Sequence, residues 1–183
     1  DLDFKHVREK RFKMERSTLE MLGQTTLDGI VRMEVGGLDV DTFVSLLADG
    51  NFGYGRLIVG ANDVLARVRL VDNRDNGNRA GTGAAEALYL FGIGTNKDGL
   101  QIRGGSTLAL NGLPAYARID GTVIDLYSLF GPGETKVAFD DGFLTRPGAF
   151  AHGTMLAAVP EPGTWVLLLA GLGLVTVAAR RKR

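Results

Sequence analysis

The sequence predicts a mainly β protein: a β-solenoid-like body, with a jelly-roll β-sandwich as the alternative, followed by a C-terminal transmembrane helix. Three observations predict it. Glycine supplies 26 of the 183 residues, about twice the usual share, and its cost inside helices disfavours a helical bundle. Short apolar segments alternate with polar or small residues at period two, the spacing of a strand with one buried face. A run of fifteen uncharged residues, Trp165 to Ala179, ends directly on Arg180, Arg181, Lys182 and Arg183.

Taken in order, residues 1–16 form a charged N-terminal segment in which Phe4, Val7 and Phe12 punctuate alternating charges. That pattern permits a short amphipathic helix and equally an edge strand flanked by charge. The β-rich body spans residues 17–145. Its strand candidates are Leu57 to Val59, Leu65 to Leu70, Leu88 to Leu90, Leu100 to Ile102 and Leu108 to Leu110. Between them lie Asp49-Gly50-Asn51, Asp72 to Asn78, Asp98-Gly99, Gly104-Gly105, Asn111-Gly112 and Asp120-Gly121, residue types that tolerate the positive φ of tight turns. The frame Ser106-Thr107-Leu108 echoes Ser17-Thr18-Leu19, as expected if stacked rungs reuse a frame. A solenoid must cover its open end, a role for Tyr127 to Phe130, Phe139 and Phe143. Gly131-Pro132-Gly133 and Pro147-Gly148 mark turns, and residues 146–159 read as a linker.

The last segment, residues 160–183, is the most informative. At ~1.5 Å per residue the apolar run covers roughly 22 Å, short of the ~30 Å hydrocarbon core, and long Arg and Lys side chains reaching the interface make a span over 164–179 workable. Four bases after an apolar run are hard to place inside a globule and natural at a cytoplasmic membrane face, which puts residues 1–160 on the far side. Upstream, Val159-Pro160-Glu161-Pro162-Gly163-Thr164 can neither continue a helix nor donate to a ladder, so the hexapeptide is extended and readable by another protein.

Pro-Glu-Pro, a short apolar span and an Arg-rich end together resemble the PEP-CTERM sorting signal of Gram-negative bacteria, over residues 159–183. The resemblance implies recognition by an integral-membrane exosortase, with Pro160, Glu161 and Pro162 as the sorting motif and Arg180, Arg181, Lys182 and Arg183 as the retention cluster. It also implies export machinery, transient residence in the inner membrane, removal of the tail and delivery to the cell surface, outer membrane or extracellular matrix. A looser likeness, carried by Ala85 to Leu90 and Ser106 to Tyr116, is to the C-terminal end of autotransporter-like β-helical passengers, over roughly residues 17–130. An exported chain should carry an N-terminal signal peptide, and residues 1–24, with six basic and five acidic groups, do not read as one. The sequence is then either a processed form or the C-terminal part of a longer protein, and the second is the expectation.

Chemistry is sparse. Zero Cys excludes disulfides, thiolate zinc sites and a cysteine nucleophile. Balanced charge, 21 basic against 21 acidic groups, argues against nucleic acid as a partner, and residues 25–159 are mildly acidic, with eleven bases against fifteen acids, a net of −4. His6 and His152 alone give no material for a serine–histidine pair or a multi-histidine metal site. Asp39 with Asp41, and Asp140 with Asp141, could supply a glycosidase carboxylate, but solvated strand or turn acids explain them as well. The loop Asp72 to Asn78 is a weak calcium candidate through Asp72 and Asp75, since Arg74 and Gly83 break the helix-loop-helix calcium pattern. Gly81-x-Gly83 and Gly92-x-Gly94 lack the third glycine of a nucleotide loop. Phe52, Tyr54, Tyr89 and Tyr116, if exposed, would offer a carbohydrate-stacking surface with exopolysaccharide as partner. The reading is a structural surface or matrix protein without catalytic activity or cofactor. The alternatives are a glycan-binding adhesin module and a polysaccharide-acting β-helix enzyme.

Overall fold

Parallel pairing dominates the architecture. The computed structural model describes residues 1–4, 13–23, 29–41, 51–79, 85–93 and 98–147, all within the unit Asp1–His152. Among them are eleven strands: β1 Thr18–Met21, β2 Val31–Glu34, β3 Arg56–Val59, β4 Arg67–Val71, β5 Leu88–Leu90, β6 Leu100–Ile102, β7 Thr107–Ala109, β8 Ala115–Ile119, β9 Thr122–Asp125, β10 Lys136–Phe139 and β11 Gly142–Thr145. They form three sheets, ordered β1-β3-β6, β2-β4-β7-β11-β10 and β5-β8-β9.

From β1 to β8 the chain alternates between these sheets, so each parallel neighbour is reached by way of a strand in another sheet. Register places like on like. Leu57 pairs Leu19 on one side and Leu100 on the other, Val59 lies between Met21 and Ile102, and Leu108 lies between Val68 and Leu144. These columns, from two of the sheets, meet in one buried cluster with Leu88, Ala115 and Ala117 of the third. A buried Leu or Val contributes about 1.5–3 kcal/mol relative to exposure, so short strands hold together through shared burial and not through strand length.

The two antiparallel pairs come late, β8 with β9 and β10 with β11. Asp120 and Gly121 link β8 to β9 at φ of 48° and 79°, the doubly positive geometry of a two-residue hairpin turn and the reason for Gly there. A 3-10 helix, Leu126–Leu129, follows, its first turn capped by Asp125, whose side chain accepts from Tyr127 N. Leu126 and Phe130 enter the main core, and Tyr127, Leu129 and Phe139 pack against it. Phe143 does not: it sits on the outer side of β11, with Lys136 Nζ 3.5 Å from its ring centroid.

The echoed Ser-Thr-Leu frames do not stack on each other. Thr18-Leu19 lies in β1, paired with β3, and Thr107-Leu108 in β7, paired with β4 and β11 in a different sheet. At the N-terminus, Leu2 bridges Met33 in parallel, with Leu2 N donating to Arg32 O and Glu34 N to Leu2 O, so residues 1–3 extend the second sheet beyond β2. Residues 148–183, including the expected helix over 164–179, lie outside the described residues. Among the described residues no helix is long and apolar enough to cross a membrane.

Candidate functional site

The four aromatic residues expected on a glycan-stacking surface are buried, with 2–6% of their surface exposed. Tyr89 and Tyr116 are register partners on β5 and β8 and stack with centroids 4.9 Å apart; Phe91 stacks on Tyr89 at 6.1 Å. The segment Leu38 to Asp41 holds the tyrosine hydroxyls. Val40 N donates to Tyr89 Oη, Tyr89 Oη donates to Asp41 O, and Tyr116 Oη donates to Asp39 Oδ1 at 2.9 Å. Burial pushes the Tyr54, Tyr89 and Tyr116 hydroxyls above the usual phenol range. A ring whose face is packed and whose hydroxyl is committed presents nothing to a sugar, so these residues serve the interior, with Tyr89 and Tyr116 forming a second small core.

Of the candidate catalytic acids, Asp39, Asp140 and Asp141 have carboxylates that accept backbone hydrogen bonds. Asp39 is buried and also accepts from Asp41 N, with Asp41 at φ 63°. At the β10–β11 turn, Asp140 Oδ2 accepts from Ile102 N and Asp141 Oδ2 from Gly104 N, which fastens the hairpin to the end of β6. Burial raises the Asp140 carboxyl above its usual range, against the lowering effect of the Ile102 bond. His6 and His152 lie outside the described residues.

A different group of acids does converge. Ligand oxygens of Glu34, Asp72 and Glu86 lie within 4.8 Å of one another. Register brings the first two together: Glu34 ends β2 opposite Val71, the last residue of β4, and Asp72 is the next residue along. Glu86 arrives two residues before β5. Glu34 and Glu86 are buried, and the Asp72 side chain is about one-tenth exposed.

The loop from Asp72 to Arg79 is wrapped on these carboxylates. Arg74 N donates to Glu34 Oε1 at 2.7 Å, Asn76 N and Asn78 N donate to Glu86 Oε1, and Asn76 Nδ2 donates to Glu86 Oε2 at 3.0 Å. Glu86 N donates to Asp72 Oδ2, and the Arg79 guanidinium pairs with Asp72 Oδ1 at 2.7 Å. Arg74 turns its own guanidinium to Asp3. Burial, with Asp3 and Asp72 adding repulsion, raises the Glu34 carboxyl; burial, with Asp72 adding repulsion, raises Glu86. Asp75, the other calcium candidate, stands apart from this cluster: its Oδ1 accepts from Gly77 N in a local, exposed turn. Sequence reasoning misses Glu34 and Glu86 because their meeting with Asp72 depends on the β2–β4 register and on the path back to β5, neither of which leaves a spacing motif.

Residues 158–183 match the family model of the PEP-CTERM protein-sorting motif. The chain therefore carries that motif at residues 158–183, a stretch that includes Pro160, Glu161, Pro162 and the terminal Arg180, Arg181, Lys182 and Arg183. No curated protein and no solved structure matches the chain.

Proposed function

We propose, on the PEP-CTERM motif at residues 158–183, that the protein is exported, recognised by an exosortase at Pro160, Glu161 and Pro162, freed of its tail and left at the cell surface or in the extracellular matrix as a structural protein without catalytic activity. The motif is the observation that carries this reading. The physical layout of the tail suits sorting, with an extended, proline-fixed handle, an apolar run to hold the chain in the bilayer, and a cationic end that stays on the cytoplasmic side.

We read the body as a short β-helix. Six of the eight strand pairs are parallel and in register, whereas a jelly roll is built from antiparallel Greek keys. The two antiparallel hairpins would close the C-terminal end of the stack and shield its edge from pairing with other chains. Such a body suits a matrix: rigid, with its aromatic rings and candidate acids spent on internal bonds.

The test is a Pro160→Ala, Glu161→Ala double variant in an exosortase-bearing host. The expected result is an unchanged circular dichroism spectrum with full-length chain held in the inner membrane. Surface delivery with a shortened C-terminus would refute the sorting assignment.

A further inference from the structure

We propose that Glu34, Asp72, Glu86 and the side-chain oxygen of Asn76 bind one divalent hard cation, calcium, which fastens the β4–β5 connection to the end of β2. The inference is independent of the sorting reading.

Charge is the first argument. Three carboxylates meet in a mostly buried space, and among the described residues the one guanidinium paired with them is Arg79, on Asp72. With all three carboxylates ionised, two negative charges exceed the Arg79 guanidinium, the amount one divalent ion neutralises. The second argument is independent of the acids. Asn76 is 8% exposed, its side chain enters the cluster through the bond from Nδ2 to Glu86 Oε2, and the oxygen of the same amide is buried with no hydrogen-bond partner. A neutral amide oxygen beside carboxylates is an ordinary calcium ligand.

The donor chemistry selects the ion. Every donor in the group is oxygen, and the chain has no cysteine, so a soft metal finds nothing it prefers. Calcium binds oxygen at ~2.3–2.6 Å, so opposite ligands on one ion lie roughly 5 Å apart, and the three carboxylates already fall inside that span. The hydrogen bonds to Glu34 and Glu86 do not exclude an ion: Glu86 Oε1 accepts two, from Asn76 N and Asn78 N, whereas Glu86 Oε2 and Glu34 Oε1 each accept one and keep a second acceptor position.

The experiment uses the full chain in mild detergent, stripped with EDTA and titrated with calcium chloride by calorimetry, with thermal unfolding followed in parallel. The proposal expects one calcium per chain and a melting temperature that rises with calcium and falls back with EDTA. Magnesium should bind at least about tenfold more weakly, because it resists dehydration and demands a tighter octahedron. Asp72→Asn and Asn76→Ala should each weaken calcium at least about tenfold, and Asp75→Asn should leave it unchanged. Glu86→Gln is the less useful variant, since that carboxylate also organises the loop, so Asp72→Asn and Asn76→Ala carry the test. No calcium heat and no calcium-dependent shift in the wild-type chain would overturn the proposal, as would calcium binding unaffected by both variants. A chain stabilised by acid alone and indifferent to calcium would also overturn it, showing that protons and not an ion settle the cluster.

Discussion

Leu108→Ala is the most searching perturbation of the stacked core. Leu108 is fully buried at the centre of β7, with Val68 of β4 on one side and Leu144 of β11 on the other. Three carbon groups are lost, worth about 2.4 kcal/mol at ~0.8 kcal/mol each. The cavity adds to this, because two flanking strands in register cannot both move inward, and the total expected is about 3–4 kcal/mol. For a chain of this size that is a fall in melting temperature of roughly 6–16 °C. The control is Leu65→Ala just before β4, where Leu65 is 43% exposed and the expected cost is below about 0.5 kcal/mol. Urea unfolding at constant slope measures both. Equal costs for the two leucines would refute the reasoning, since Leu65 shares the outer face of its segment with Arg67 whereas Leu108 faces the stacked core.

Two further outcomes are expected. Tyr116→Phe removes the hydroxyl that donates to buried Asp39 and should cost about 1–3 kcal/mol by urea unfolding; a neutral result would mean that this bond does not hold the segment Leu38 to Asp41 in place. Stability in calcium-free buffer should depend on pH through Glu34 and Glu86. Both carboxyls are raised in the folded state, so the folded chain binds protons more tightly than the unfolded chain. Their contribution is present in full below the unfolded value near 4.5 and is lost as pH rises through the raised folded values. The melting temperature should therefore fall as pH rises above 4.5 through the raised folded values, and Glu34→Gln with Glu86→Gln should flatten that slope; an unaltered slope in the double variant would assign it to other groups.

Much of the body is legible in the sequence because period-two alternation and turn dipeptides are local signals. Leu57 to Val59, Leu88 to Leu90 and Leu100 to Ile102 fall on β3, β5 and β6, and Asp120-Gly121 makes the tight turn its residue types suggest. Strands β10 and β11 are harder to read, because Phe143 looks like a cap filler although it alternates with buried Gly142 and Leu144 along a hairpin. The aromatic residues mislead for a different reason. Alternation in Leu88-Tyr89-Leu90 sets Tyr89 on the face opposite its leucines, but the segment Leu38 to Asp41 lies over Tyr89 and Tyr116, and a covering segment from about fifty residues or more upstream leaves no mark in a strand's own pattern. The carboxylate cluster is legible only through Asp72, because its other members come from β2 and from the approach to β5. The sorting motif is legible throughout, since proline geometry, apolar length and terminal charge are properties of contiguous sequence.

The intact mass of the protein recovered from the surface fraction of its native host tests the central claim most directly. Exosortase sorting predicts a chain whose C-terminus lies at or near residues 160–164, with the apolar run and the four terminal bases removed. A mass that retains Arg183 would contradict it, and would make the tail a permanent anchor.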